Sequence, residues 1–450
     1  MSLRALLRGD LLKFAGPLVL TGLSQTIMSS VDYIFTKHLD DHVAAAIAPA
    51  SMLYYTPLSL LLGVISIYST KLGAVDTNDV ASDKEAIQLK ASFSFLLLAA
   101  ILLSAMTYLS SNYLVGLLGH QPDIKAFELD YFRSLVWAAP LACTAFYLQN
   151  LFAAAGDTRT PSVCIISGHF INVSLNYVFV EGLFTEPMGL GGAALATVMA
   201  SGFQAFSMLL LANRRRLIAV GYYQNIRNSF IGFKRILKSG LPVGIQWCQS
   251  TFVWLIFTSY IIAPLGDVEL ASHNVLNQVA KIAGLPLIGL ANAAATLIAR
   301  YRGQGDEVEA VAIGRSLLAY NVVYITLLGI MFDGYLGQFL SLYSESTQVI
   351  SYCINLLPVL IMYTLLFGCE AAVAATLRGY DDTLKTASVN ILCSWGLIIC
   401  GGYGVSQMYP HLGLVGPWIG ILASVFIVFL TLYVRLKRTV LPRSNYAFIS

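Results

Sequence analysis

The sequence predicts an all-α integral membrane protein of twelve transmembrane helices in two six-helix, pseudo-symmetric lobes. Three observations carry this: the composition, a regular succession of apolar runs, and a repeat at an offset near 225 residues. Of 450 residues, 57% are apolar and only 11% charged, with mean hydropathy +0.71. Soluble domains carry about 25% charged residues, so this chain cannot cover a water-facing surface of its size. A helix bundle in lipid can, because each helix satisfies its own backbone. The net charge of +3 is too small to imply a nucleic-acid partner.

Windows of about 19 residues place spans at 11–36, 46–70, 89–111, 128–154, 161–181, 190–212, 239–264, 269–299, 314–339, 349–377, 384–407 and 412–434. Most reach the roughly 20 residues needed to cross the hydrocarbon core. The first follows MSLRALLRGD and continues to spanning length, which is not a cleavable signal pattern. The second and eighth are long and interrupted, by Pro57 and by Pro286 with Gly284 and Gly289, which predicts tilt or kinks. All seven cysteines fall inside apolar runs without metal-ligand spacing, and read as small packing residues.

Lysine and arginine orient the bundle. With the N-terminus inside, 23 of the 27 basic residues fall on inside segments, from Arg4 and Arg8 to Arg435, Lys437, Arg438 and Arg443. Lys37, Lys125 and Arg133 lie outside, and Lys281 lies within a helix. Both termini are therefore expected in the cytoplasm, with the protein in a bacterial inner membrane.

The repeat sets the domains. FAGPLVLTGL around Pro17 returns as KSGLPVGIQW around Pro242, and LDDHVAAA returns as LGDVELAS. GLGGAALAT returns as GLVGPWIGI, and GDTRTPS returns more loosely as YDDTLKTAS. The expected organisation is an N-terminal lobe at 1–213, a basic cytoplasmic linker at 214–238 and a C-terminal lobe at 239–450. Transporters built from such repeats place substrate sites near the midplane.

One carboxylate stands out. Asp32 ends an otherwise uncharged run from Phe14 to Thr36, and an ionisable group at that depth by default marks an ion or substrate site. Thr21, Gln25, Ser29 and Asp32 share one helical face, as do His169, Asn172 and Asn176 on the fifth span. If those faces meet, neutral donors and acceptors surround Asp32, a setting in which desolvation and hydrogen bonding balance and a carboxyl can exchange protons. The other reading of Asn172 and Asn176 is neutral packing. Pro17 removes a backbone hydrogen bond fifteen residues before Asp32, so it is the candidate hinge.

Asn274, Asn277, Gln278 and Lys281 form a second polar stripe on the eighth span. A buried lysine needs a partner, and Glu370 is the best placed acid. That pair serves either as part of a second-lobe site with Gln249 or as a structural ion pair. Tyr33, Phe146, Tyr147, Tyr177, Trp247, Phe252, Trp254 and Tyr363 are candidates to face a cavity and offer cation–π surfaces, although lipid contact or core packing is the commoner fate of an aromatic in such a bundle.

The motifs AAGDTRTP at 154–161, INVSLNYVFVEG at 171–182, GLGGAALAT at 189–197, GLP at 240–242 with APLG at 263–266, and LRGYDD at 377–382, with Pro17 and Asp32 on the first helix, together resemble the multidrug and toxic compound extrusion (MATE) family. The resemblance implies two lobes around a V-shaped central cavity. It also implies antiport of organic, often cationic or amphipathic compounds against H+ or Na+. It makes Asp32 the coupling carboxylate and Asn172 and Asn176 polar neighbours; one proton-coupled branch has an aspartate at the second of these positions. The sodium-coupled branch carries second-lobe acids where this chain has Gln249 or Ser250, and Phe367. Together with Lys281, that favours H+ over Na+.

An enzyme is not expected: HExxH and GxSxG are absent and no nucleophile sits beside a base. A lipid-linked sugar flippase of related fold is the alternative transporter, but it needs more cations in its cavity than Lys281. No cofactor or metal is expected, because adjacent ligands in HLDDH, His38 to His42, rarely close a tetrahedron. The partners expected are a small organic substrate, a coupling ion and lipid, with the monomer functional.

Overall fold

The computed structural model describes residues 9–37, 41–75, 80–116, 122–183, 186–218, 225–341 and 346–440; the side chains at 9, 29–37, 41–49, 80–82, 122–124 and 332–339 also lie outside the description. The described residues are helical, without strands. Their order is α1 (Gly9–Lys37), α2 (Asp41–Ile65), α3 (Tyr68–Gly73), α4 (Val80–Ala91), α5 (Phe93–Leu109), α6 (Ser111–Gly116), α7 (Pro122–Leu135), α8 (Ala138–Ala154), α9 (Arg159–Phe179), α10 (Gly189–Arg214) and α11 (Ile226–Ile256). They continue with α12 (Asp267–Gly303), α13 (Glu307–Leu340), α14 (Thr347–Asn355), α15 (Leu357–Gly379), α16 (Thr383–Cys393), α17 (Gly402–Met408) and α18 (Val415–Thr439).

Among the described residues, eleven helical stretches are long and apolar enough to cross a membrane. A twelfth appears if Lys125–Leu135 and Ala138–Ala154, bent by 44°, count as one span. The protein is thus a multi-pass membrane protein, and the break in that span falls where the apolar run predicted a single helix. α2 runs unbroken through Pro57 and ends only at Ile65, and α12 runs unbroken through Pro286. Residues 226–238, expected in the linker, instead form the opening turns of α11. There Arg235 pairs with Glu85 at 3.1 Å, and Phe230 and Phe233 pack on Phe95.

Packing divides the chain into two compact units, Leu20–Cys248 and Gln249–Ser450 together with Met1–Val19. The divisions fall inside α1 and α11, shortly after Pro17 and Pro242, the two repeat-related prolines. The core of the first unit runs from Leu58 through Tyr68, Phe93 and Tyr147 to Phe152 and Met208. The main core of the second gathers Phe257, Val275, Leu276, Leu360, Trp418 and Ile421.

Within the first unit, α2 and α11 meet backbone to backbone. A Cβ on Gly63 would lie 2.6 Å from Gly244 Cα and 2.9 Å from Val243 O, distances that no side chain tolerates. The close approach needs glycine on both helices, as small residues permit in membrane bundles.

The repeat survives as geometry. Gly156, at φ 89°, precedes Asp157, and Asp381, at φ 62°, precedes Asp382. Asp157 accepts from the Arg159 and Thr160 amides, each at 3.0 Å, and from Thr160 Oγ1 at 2.6 Å. It thereby satisfies amides that open α9, and it pairs with Arg215. In the other unit Asp382 pairs with Arg435. Burial pushes the Asp157 carboxyl up, but the Thr160 hydrogen bonds and Arg215 outweigh it and hold the group below its ordinary value.

Two expectations follow. Gly63→Leu should destabilise the protein by about 1–3 kcal/mol or more, the scale of overpacking; a wild-type melting curve in detergent would contradict the backbone contact. Because the folded Asp157 carboxyl lies below its unfolded value, its contribution is present at neutral pH and lost as pH falls through the folded value. Asp157→Asn should therefore lower the melting temperature at pH 7, by a free energy of about 1 kcal/mol or less for so exposed a pair. The gap to wild type should close on acidification.

Candidate functional site

The predicted meeting of the first and fifth spans is present in the unit Leu20–Cys248. α1 and α9 are joined side chain to side chain: Thr21 Oγ1 donates to Ser162 Oγ at 2.8 Å. Ser24 Oγ lies 3.0 Å from His169 Nδ1, and His169 Nε2 lies 3.1 Å from Gln25 Oε1. Ser24 Oγ also donates to Thr21 O at 2.8 Å.

These contacts have a definite proton arithmetic. With the Gln25 oxygen toward the ring, Nε2 carries a hydrogen. If Nδ1 carries one too, it donates to Ser24 Oγ while the serine proton stays on Thr21 O. If Nδ1 is bare, the Ser24 hydroxyl rotates to donate to it. Both charge states of His169 are therefore satisfied, and they differ by one hydroxyl rotation. The ring is half-buried and Gln25 is exposed, so the run of hydrogen bonds reaches an exposed side chain at that end.

One turn and two turns beyond His169, Asn172 and Asn176 are 3% and 0% exposed. Asn176 Nδ2 donates to Asn172 Oδ1 at 3.0 Å, and Asn172 Nδ2 to Thr197 Oγ1 of α10 at 3.3 Å. The pair thus ties α9 to α10. Asp32 and Tyr33 lie on α1, but their side chains, like those of His38 to His42, are outside the described residues. Asp32 sits seven residues, about two turns, beyond Gln25. Ser24 and Thr197 were not anticipated: Ser24 is one residue off the stripe drawn through Thr21 and Gln25, and Thr197 lies in a motif of small residues.

In the other unit several expectations need correction. Lys281 and Glu370 form no ion pair. Lys281 is exposed and its electrostatic neighbour is His273, so the premise of a buried lysine fails. Glu370 instead accepts a long contact from Asn390 Nδ2 at 3.5 Å and faces Arg378, two turns along α15. Gln249 is buried and donates to Ser250 Oγ at 3.2 Å. Asn274 and Gln278 are exposed and Asn277 half-buried, so the stripe on α12 is open for most of its length.

The aromatics sort by environment. Tyr147 is not available to a ligand: it is 1% exposed, stacked on Phe93 at 3.9 Å, and its hydroxyl donates to Lys90 O at 3.2 Å. Tyr177 and Phe252 are exposed, while Phe146 and Trp247 are half-buried and in contact at 6.4 Å. Trp254 packs at 6.1 Å against His273, a buried ring that also meets Phe257 and Trp418. Tyr363 lies between Trp418 and Phe367.

A profile of the MatE family matches residues 17–178 and, a second time, residues 242–403. The chain is similar to the probable multidrug resistance protein NorM of Photorhabdus laumondii, with 24% identity over 441 residues covering 95% of each chain. It is also 24% identical, over 427 residues, to the probable multidrug resistance protein YoeA of Bacillus subtilis, covering 93% of this chain and 91% of the relative. Its fold is similar to the crystal structure of the eukaryotic MATE transporter AtDTX14, with TM-score 0.83 and 19% identity over 96% of this chain and 95% of that one. The bent form of the Vibrio cholerae MATE transporter VcmN matches at TM-score 0.80 and 17% identity, over 97% and 98% of the two chains.

Removing one member of the asparagine pair should strand the other. Asn176→Leu is expected to cost about 1–3 kcal/mol, the penalty for a buried polar group deprived of its partner; denaturation in detergent micelles measures it, and an unchanged midpoint would refute the role given to the pair.

Proposed function

The chain belongs to the MatE family, and we propose that it is a secondary active transporter that exports organic, amphipathic compounds in exchange for protons by alternating access. The moving bodies in this reading are the two repeat halves, 1–213 and 239–450, joined by 214–238. The names of its relatives support multidrug efflux as the general activity. The coupling ion is read from this chain's own residues.

The observation that carries the reading is the run of hydrogen bonds from Ser24 through His169 to Gln25. It accommodates a proton on the imidazole, or its loss, with one hydroxyl rotation. Asp32 shares the α1 face with Gln25, two turns along, and would take the second role of an ionisable group held in a low-dielectric, hydrogen-bonding setting. A sodium ion would need oxygen ligands without a competing cation; the second unit offers an exposed ammonium, Lys281, which favours H+ there too. Pro17 lies inside α1 with no amide to donate, and proton-driven rearrangement near Asp32 would act on the helix across that weak point.

Asp32→Asn should abolish pH-gradient-driven ethidium efflux from cells or vesicles at unchanged expression. Full activity in that variant would contradict the proposal. His169→Ala should shift the pH dependence of efflux, and His169→Gln, which keeps hydrogen bonding but cannot be charged, should not rescue it. A profile unaltered in both variants would remove His169 from the proton path.

A further inference from the structure

α12 is the most enclosed of the membrane helices, with 72% of its apolar window buried. Between Ser272 and Ala299 only five positions are exposed: Asn274, Gln278, Lys281, Ile288 and Asn292. They recur at intervals of four, three, seven and four, which is one narrow stripe along the helix. Four of the five are polar. A face open to lipid would be apolar, because polar and charged side chains are costly in hydrocarbon. The stripe therefore opens on a water-filled space at membrane depth. Lys281 lies fourteen residues from the start of the helix, about 21 Å at 1.5 Å per residue, well inside it and not at either end.

The ammonium of Lys281 has no carboxylate partner: no ion pair to it is present among the described residues, and its electrostatic neighbour is the buried imidazole of His273. Glu370, the acid nearest in sequence expectation, is engaged by Asn390 and Arg378. Gln278 and Asn274, one and two turns away on the same stripe, present amide donors. A ring stands beside the next turn, where Phe367 would lie 3.4 Å from a Cβ on Gly284, stacked in turn with Tyr363.

We propose that Lys281, with Gln278 and Asn274, is a binding site for the carboxylate of an aromatic, amphipathic substrate. Resting on the efflux reading above, this adds to the cargo compounds that carry an anionic group, zwitterions included, and gives them a contact that a purely cationic dye does not use. A single ammonium flanked by neutral amides matches one monoanionic charge. A phosphate or diphosphate would call for several cations or a bidentate guanidinium, which the stripe lacks.

The test is direct binding to purified full-length protein, followed by tryptophan fluorescence, with norfloxacin and its methyl ester as probes. Wild type should bind norfloxacin more tightly than the ester. Lys281→Gln should weaken norfloxacin by about tenfold or more, as loss of one partner of a charge pair does, and leave the ester unchanged. Lys281→Arg should keep most of the affinity. Equal affinity of wild type for acid and ester, or an equal loss of both in Lys281→Gln whose melting curve matches wild type, would overturn the assignment. Failure of wild type to export ethidium would refute the efflux reading instead, and would leave the carboxylate preference measured here standing on its own.

Discussion

Inside a bilayer no water compensates an unmatched polar group, and each such group costs several kcal/mol or finds a partner. That constraint organises this protein. Two arrangements of polar side chains at membrane depth matter here: Asn172, bonded to Asn176 on its own helix and to Thr197 on the next, and the exposed stripe on α12. The paired kind hold the helices in register. The open kind are the ones we propose to bind cargo. His169 belongs to both, since its partners Ser24 and Gln25 sit on another helix and Gln25 reaches an exposed surface.

The internal repeat supplies the frame on which these groups are placed. Repeat-related turns at Asp157 and Asp382 use the same device, a left-handed residue followed by an aspartate locked to an arginine further along the chain. The second copy uses a non-glycine residue, Asp381, in the strained position, which Asp tolerates better than most side chains. The two copies have diverged at the positions we propose to be functional while keeping the turns. The first pairs α1 with α9 around a histidine, and the second exposes a lysine on α12. Divergence of this kind fits a division of labour in which one half handles the coupling ion and the other the cargo.

Much of this was legible in the chain. Apolar runs gave the helices because lipid makes hydropathy decisive, and the face shared by Thr21 and Gln25 did meet that of His169 because 3.6-residue periodicity fixes which residues look the same way. What escaped the sequence were contacts set by approach distance. Ser24 reaches His169 although it lies beside the drawn stripe, and Tyr147 sinks into the core against Phe93 and Tyr68. Lys281 was paired with Glu370 on the premise that it was buried; its exposure removes the need for a partner, and Arg378 and Asn390 occupy the acid instead. Periodicity tells which side of a helix a residue takes and says nothing of what stands opposite.

The central claim is that cargo leaves as protons enter through the first half of the chain. The most direct measurement follows internal pH in sodium-free proteoliposomes while ethidium is driven across by its own gradient. The account predicts proton movement opposite to the dye, in fixed ratio to it. Dye transport without any proton flux, or proton flux that appears only when sodium is added, would contradict it.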